Sequence, residues 1–170
     1  KEEVSKYEGF IISGSRYCSY SELEWIKELI TLTKYIISLK KKLLGICFGH
    51  QIVSLALDGK VECNKEGWGI GVKKIELTKN GDNFIKNSIK LTNNKDALSK
   101  IEELVQQDEI YINYLHRDVA TFIPDCKVLA VSTYCKYASI SKGNYILTFQ
   151  GHPEYDSLVV KDLVAVRTTI

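Results

Sequence analysis

Lys41-Lys42-Leu43-Leu44-Gly45-Ile46-Cys47-Phe48-Gly49-His50-Gln51 is an apolar run that stops at a cysteine flanked by two glycines, and an apolar-periodic segment from Gln51 to Leu57 follows. The pattern reads as strand, sharp turn and helix, the layout of a nucleophile elbow with Cys in place of the Ser of G-x-S-x-G. The glycines fit that reading because the turn residue is held in strained backbone geometry and its neighbours must leave room for close approach. A thiol placed there lies at the positive end of a helix dipole, which favours the thiolate, the form that attacks carbonyls. Cys47 is therefore the candidate nucleophile, and the rest of the chain must supply a base and donors for the developing oxyanion.

Working outward from the elbow, Tyr7 to Ile12 reads as a short buried strand ending in a small-residue loop, Ser13-Gly14-Ser15. Ser21 and Glu24 have capping-box spacing, and Leu23, Ile26, Leu29, Ile30, Thr33, Ile36 and Ile37 then recur at helical spacing, so a helix of about five turns is expected. Lys40-Lys41-Lys42 reads as a solvated C-terminal cap of that helix rather than an anion site. Asp58-Gly59 closes the elbow helix. Val61 to Leu77 holds Gly67-Trp68-Gly69-Ile70-Gly71, which suits extended backbone with tight bends and, preceding no helix, is not a dinucleotide fingerprint. Lys79 to Asn94 is polar and Asn-rich and reads as a surface loop; Asp96 to Val105 reads as a peripheral helix with Leu98, Ile101, Leu104 and Val105 on one face. Strands are expected over Ile110–Leu115 and Lys127–Ser132, then as a hairpin of Tyr137–Ser141 with Tyr145–Phe149 across Lys142-Gly143-Asn144. A last helix starts near Asp156 or Ser157 and carries Leu158, Val159, Leu163 and Val166. The alternation predicts one α/β domain, residues 1–170, in three layers, with a mostly parallel sheet flanked by helices and an antiparallel section in the C-terminal half.

Composition narrows the function classes. A chain of 170 residues that is 45% hydrophobic can bury a sizeable core, and a net charge of +2 suggests neither a nucleic-acid surface nor a membrane patch. No apolar run approaches the roughly 18 residues that span a bilayer. Five cysteines without C-x-x-C spacing argue against a disulfide framework or a zinc site, and a reducing cytoplasmic setting is expected.

The base has three candidates, His50, His116 and His152. His50, three residues after Cys47 in the first helical turn, is badly placed to face the sulfur. His152 ends a strand, where an open α/β sheet collects its site, and Glu154 two residues on can fix its tautomer. Pro153 stiffens the spacing.

Gly45 to Gln51, with Gln150-Gly151-His152-Pro153-Glu154 downstream, resembles the class I glutamine amidotransferase family over nearly the whole chain, with further matches at Gly9–Ser15, Gly67–Gly71 and His116-Arg117-Asp118. Within the family it is most similar to the stand-alone branch near guanosine monophosphate synthetase glutaminase domains, which includes plant γ-glutamyl peptidases and fungal homologues. The resemblance implies a flavodoxin-like fold and attack by Cys47 on the γ-carbonyl of glutamine or a γ-glutamyl compound, giving a glutamyl thioester. His152 would shuttle the proton and Glu154 would orient it. The oxyanion hole would come from the backbone N–H of Phe48 and that of Ser15 or Gly14. Gln51 and the segment Leu115, His116, Arg117 and Asp118 would hold the substrate, Arg117 standing where relatives frequently have Gly or a small polar residue. An ordinary strand-end histidine is the alternative for His116. No metal or cofactor is implied; the partner is a small-molecule substrate, with a separate synthetase receiving ammonia as an alternative and a silent scaffold protein as another. Family members have at least one strand and helix before the segment matching Tyr7–Ser15, and the chain is expected to lack them.

Overall fold

The computed structural model describes residues 2–105 and 109–166. After a single turn, α1 (Glu2–Ser5), the chain enters β1 (Gly9–Ile12) and, past an irregular loop, α2 (Glu24–Ser38). The elbow follows as β2 (Lys42–Ile46) and α3 (Phe48–Ala56). Next come β3 (Lys60–Cys63), β4 (Gly69–Leu77), α4 (Lys79–Leu91) and α5 (Lys95–Val105). The remainder is β5 (Ile110–His116), β6 (Asp118–Phe122), β7 (Lys127–Val131), β8 (Ser139–Lys142), β9 (Ile146–Phe149) and α6 (Ser157–Ala165).

Among the described residues, one sheet has the order β1-β2-β9-β8-β7-β4-β5, and β3 pairs with β6 in a separate antiparallel ribbon. The strands β1, β2 and β9 are parallel, while every pairing from β9 through β8, β7 and β4 to β5 is antiparallel. The sheet is thus mixed, with its parallel part concentrated where the elbow lies. The expected hairpin forms in register, with Ser139 opposite Phe149 and Lys142 opposite Ile146.

Three apolar clusters hold these layers. Ile36, Leu43, Val53, Ile140 and Ile146 fill the space between the central strands and the helices; Ile75, Ile112, Tyr114, Ala130 and Ala138 pack at the antiparallel end. Ile26 of α2 meets Phe48 and Ile52 of α3 in the third. Fully burying a side chain such as Ile52 or Val53 stabilises by roughly 1.5–3 kcal/mol.

Several sequence expectations are corrected. The Asn-rich stretch from Lys79 is helix α4 rather than a loop: Thr78 caps it by accepting from the Gly81 N–H, and Gly81, Phe84, Ile85, Ser88 and Ile89 fall on one helical face that polar composition disguises. The Ser21–Glu24 capping box does not form; a turn bonds Ser21 N–H to Cys18 O, and α2 starts only at Glu24 behind Leu23, with 15 residues or about four turns. Lys40, in the left-handed conformation (φ 52°), and Lys41 close α2 as expected, their backbone N–H groups donating to Ile37 O and Ile36 O; Lys42 lies beyond that cap. Lys41 and Lys42 donate to the carbonyls of Ser5 and Asn144, and Lys42 already belongs to β2. After α3, Asp58 takes the left-handed conformation (φ 61°), while Gly59 is needed because a Cβ there would lie 2.4 Å from Phe122 O. In α6, capped by Asp156, Val160 is buried while Leu158 and Val166 are exposed. For α5, Ile101, Leu104 and Val105 side chains lie outside the described residues.

Candidate active site

The elbow forms because β2 and α3 can approach at two glycines. A Cβ at Gly49 would lie 1.9 Å from the carbonyl oxygen of Ile12 on β1, and one at Gly45 would lie 2.7 Å from Gly49 O. Between them Cys47 holds φ 52° and ψ −101°, a positive φ that costs a residue with a side chain of order 1–3 kcal/mol. Neighbouring strands sustain it: the Cys47 N–H donates to Phe149 O on β9 at 2.8 Å.

The strand β9 then delivers the second part of the site. His152 is buried, and its Nδ1 is 2.7 Å from Glu154 Oε1. That contact leaves Nε2 as the nitrogen available to the elbow. Gly14 lies between the two groups, since a Cβ there would be 3.0 Å from His152 Cε1, 3.8 Å from Nε2 and 3.9 Å from Cys47 Cβ. The structure therefore brings Cys47, His152, Glu154 and Gly14 together, with glycine at 14 keeping the gap between thiol and imidazole open.

Residues that sequence reasoning missed hold the imidazole. Tyr155 stacks on the His152 ring, centroids 3.9 Å apart and planes at 4°. Asn113 of β5 secures both ends of that turn, accepting from His152 N–H at 2.7 Å and donating through Nδ2 to Tyr155 O at 2.7 Å. For Tyr155 the only signal available was proximity to the His-Pro-Glu motif; Asn113, far from it in sequence, carried none.

Two adjoining cavities meet at Cys47, and Ser15, Arg16 and Leu115 also line both. The larger, about 180 Å³, is additionally lined by Phe48, Gln51, Trp68, His116, Arg117 and Asp118, among others, which brings the expected substrate-contact residues to one wall. The smaller, about 130 Å³, contains Gly14, His152, Tyr155 and Leu163. The Phe48 ring is buried in the α2–α3 cluster, so only its backbone is free to serve the site. Gln51 donates from its side chain to Asp118 O at 2.9 Å, tying the elbow helix to β6. Arg117 Nε lies 3.6 Å from Asp118 Oδ1. Trp68 belongs to the Gly67–Gly71 segment, whose glycines at 67 and 71 have φ near 80°.

The other two histidines are buried, each with its Nδ1 bonded to a group other than the thiol. His50 is fully buried, its Nδ1 2.7 Å from Thr148 Oγ1, and burial, aided by nearby His116, pushes its pKa down to about 3. His116 packs tilted against Tyr114 and edge-on against Tyr134, its Nδ1 facing Asp118 O at 3.1 Å, and burial pushes its pKa down to about 4 against that bond. Both rings are thus neutral near pH 7. Because Nδ1–H of His116 donates to a carbonyl, Nε2 carries a lone pair. Cys18, at the rim of the larger cavity, is kept protonated by burial. Among the described residues no group of three or more His, Cys, Asp or Glu is arranged to hold a metal ion, and no helix is long and apolar enough to cross a membrane.

Comparison with known proteins adds an independent line. The profile described as Glutamine amidotransferase class-I matches residues 1–162. Gamma-glutamyl peptidase 2 of Arabidopsis thaliana is 33% identical over 164 residues, covering 96% of this chain and 60% of that protein. A glutamine amidotransferase-like protein of Schizosaccharomyces pombe is 32% identical over 169 residues, covering 98% of this chain and 60% of its own. The chain therefore spans about 60% of the length of these curated relatives. Among solved structures, a glutamine amidotransferase from Methylobacillus flagellatus superposes with a TM-score of 0.75 at 19% identity, covering 98% of this chain and 59% of that one, a likeness of fold.

Proposed function

Since the chain belongs to the class I glutamine amidotransferase family, we propose that it hydrolyses the γ-amide of glutamine or of a γ-glutamyl compound, with Cys47 as nucleophile. The observation that carries this reading is the convergence of a positive-φ cysteine at a helix start with a buried, carboxylate-bound imidazole across Gly14.

In this mechanism Cys47 Sγ attacks the γ-carbonyl and its proton passes to His152 Nε2. The N–H groups of Phe48 and of Ser15 or Gly14 stabilise the oxyanion, because backbone donors fixed at the site of developing charge need no reorganisation. The C–N bond then breaks, the leaving nitrogen takes the proton from His152, and a glutamyl thioester remains. Water, activated by the same imidazole, releases glutamate and the thiol. Glu154 holds the tautomer with Nδ1 protonated and stabilises the imidazolium that forms in each half-reaction. Gln51, His116, Arg117 and Asp118 hold the glutamyl α-amino and α-carboxylate groups in the larger cavity.

The test is incubation with glutamine and with γ-glutamyl peptides, following ammonia, free glutamate and the mass of a trapped thioester. Cys47→Ala is expected to abolish adduct and turnover together; unchanged turnover would remove the nucleophile assignment. Ammonia release only in the presence of an added synthetase would point instead to a glutaminase subunit. No adduct with a glutamine-like electrophile would indicate a scaffold protein.

A further inference from the structure

The two cavities meeting at Cys47 differ in which group of the reaction each can serve. His152 lines only the smaller one, and it is the group that protonates the departing nitrogen. The leaving amine must therefore lie in the smaller cavity and the glutamyl half in the larger. If the leaving group were always ammonia, the smaller cavity would have little to hold, since a molecule close to water in size needs about 10–15 Å³ of such space. The cavity offers about 130 Å³. Its walls include the apolar parts of Leu115, Tyr155 and Leu163, and its one cationic side chain is Arg16.

Arg16 differs from the other arginine of the site. Arg117, in the larger cavity, has the Asp118 carboxylate beside it. Among the described residues no carboxylate pairs with Arg16, which is exposed on the loop after Gly14, its guanidinium carbon 5.9 Å from the centre of the Tyr17 ring. A guanidinium presents a planar fork that matches a carboxylate with two parallel hydrogen bonds. An amine with a carboxylate and an apolar side chain is an apolar α-amino acid.

We infer that the smaller cavity is a leaving-group subsite in which Arg16 reads the carboxylate of an apolar amino acid, making Arg16 a specificity-determining residue for γ-glutamyl dipeptides over glutamine. The inference rests on the proposed γ-amide hydrolysis. It adds no step to that chemistry: the dipeptide C–N bond breaks, the amino acid leaves with the proton from His152, and water resolves the thioester.

The experiment compares kcat/KM for γ-glutamyl-leucine, γ-glutamyl-leucinamide and glutamine, in the wild type and in Arg16→Ala and Arg16→Glu. The wild type is expected to favour the free acid over the amide by about tenfold or more, Arg16→Ala to bring that ratio near one, and Arg16→Glu to place it below one. Equal losses on acid and amide would put Arg16 at the glutamyl end or in a structural role and overturn the inference, as would a ratio that does not move. A wild type that hydrolyses glutamine but neither dipeptide would overturn the inference and leave the γ-amide hydrolase reading standing. A wild type inactive on all three would overturn both.

Discussion

The helices α3 and α4 use one device to opposite ends. Each is pressed against a strand by a glycine: a Cβ at Gly49 would meet Ile12 O at 1.9 Å, and one at Gly81 would meet Leu129 O at 2.1 Å. Yet α3 is buried at every position but Leu55, whereas in α4 only Gly81 is buried. Their starts differ as well. Thr78 closes α4 with its side chain, while α3 begins at a strained Cys47 that supplies no side-chain cap. A helix whose first N–H groups are satisfied by its own sequence is a scaffold; one whose N–H groups are left for something else is a place where an anion can be stabilised. The contrast teaches that close approach alone does not mark a site; nor does a withheld cap, which α2 shares behind Leu23, and what sets α3 apart is the positive φ of Cys47 at its start.

The comparison can be broken by substitution. Gly49→Ala is expected to cost about 4–5 kcal/mol or more, with loss of soluble protein or of activity, because the clash is with backbone inside the core. Denaturant titration checks it. Gly81→Ala should cost about 1–3 kcal/mol and leave kcat/KM unchanged, since α4 can withdraw from β7 without disturbing the elbow; a loss as large as that of Gly49→Ala would erase the distinction. Titration should separate the helices next. His50 and His116 titrate near 3 and 4 in the fold but near 6.5 when unfolded, so the native state binds fewer protons. Stability is therefore complete above about pH 6.5 and drains as pH falls towards 4, by on the order of 1.4 kcal/mol per pH unit for each ring. Melting temperatures between pH 7 and 4.5 should show this slope, and His50→Asn should remove about half of it; α4, which has no histidine, contributes none. Smallest is the cap: Thr78→Ala should cost about 1 kcal/mol, somewhat more if the lost bond to Val128 O also matters, and a shift near zero would mean that packing alone holds α4.

Much of the parallel end was legible in the sequence, because its signals are local: glycine spacing around Cys47 and the strand-end run to Glu154 each encode a backbone shape. The rest was hidden for definable reasons. The apolar stripe of α4 is only Phe84, Ile85 and Ile89 between asparagines and lysines, and its docking rests on a missing side chain at Gly81. The strand β6 pairs with β3 across more than fifty residues, a contact no local window contains. Asn113 reaches His152 only through the bridge that sets β5 beside the chain at 152, and the stacking of Tyr155 on His152 follows from a local turn that no periodicity announces. Arg16 lies on the irregular loop between β1 and α2, where no periodicity applies.

The bond from Cys47 N–H to Phe149 O has a consequence for the nascent protein. Cys47 is translated about a hundred residues before the strand that locks its backbone, and β2 lacks a parallel neighbour on that side until β9 emerges. Non-local pairing of this kind is late in folding. The backbone geometry of Cys47 is therefore completed only when residues 146–154 arrive, and the His152 imidazole comes in the same stretch.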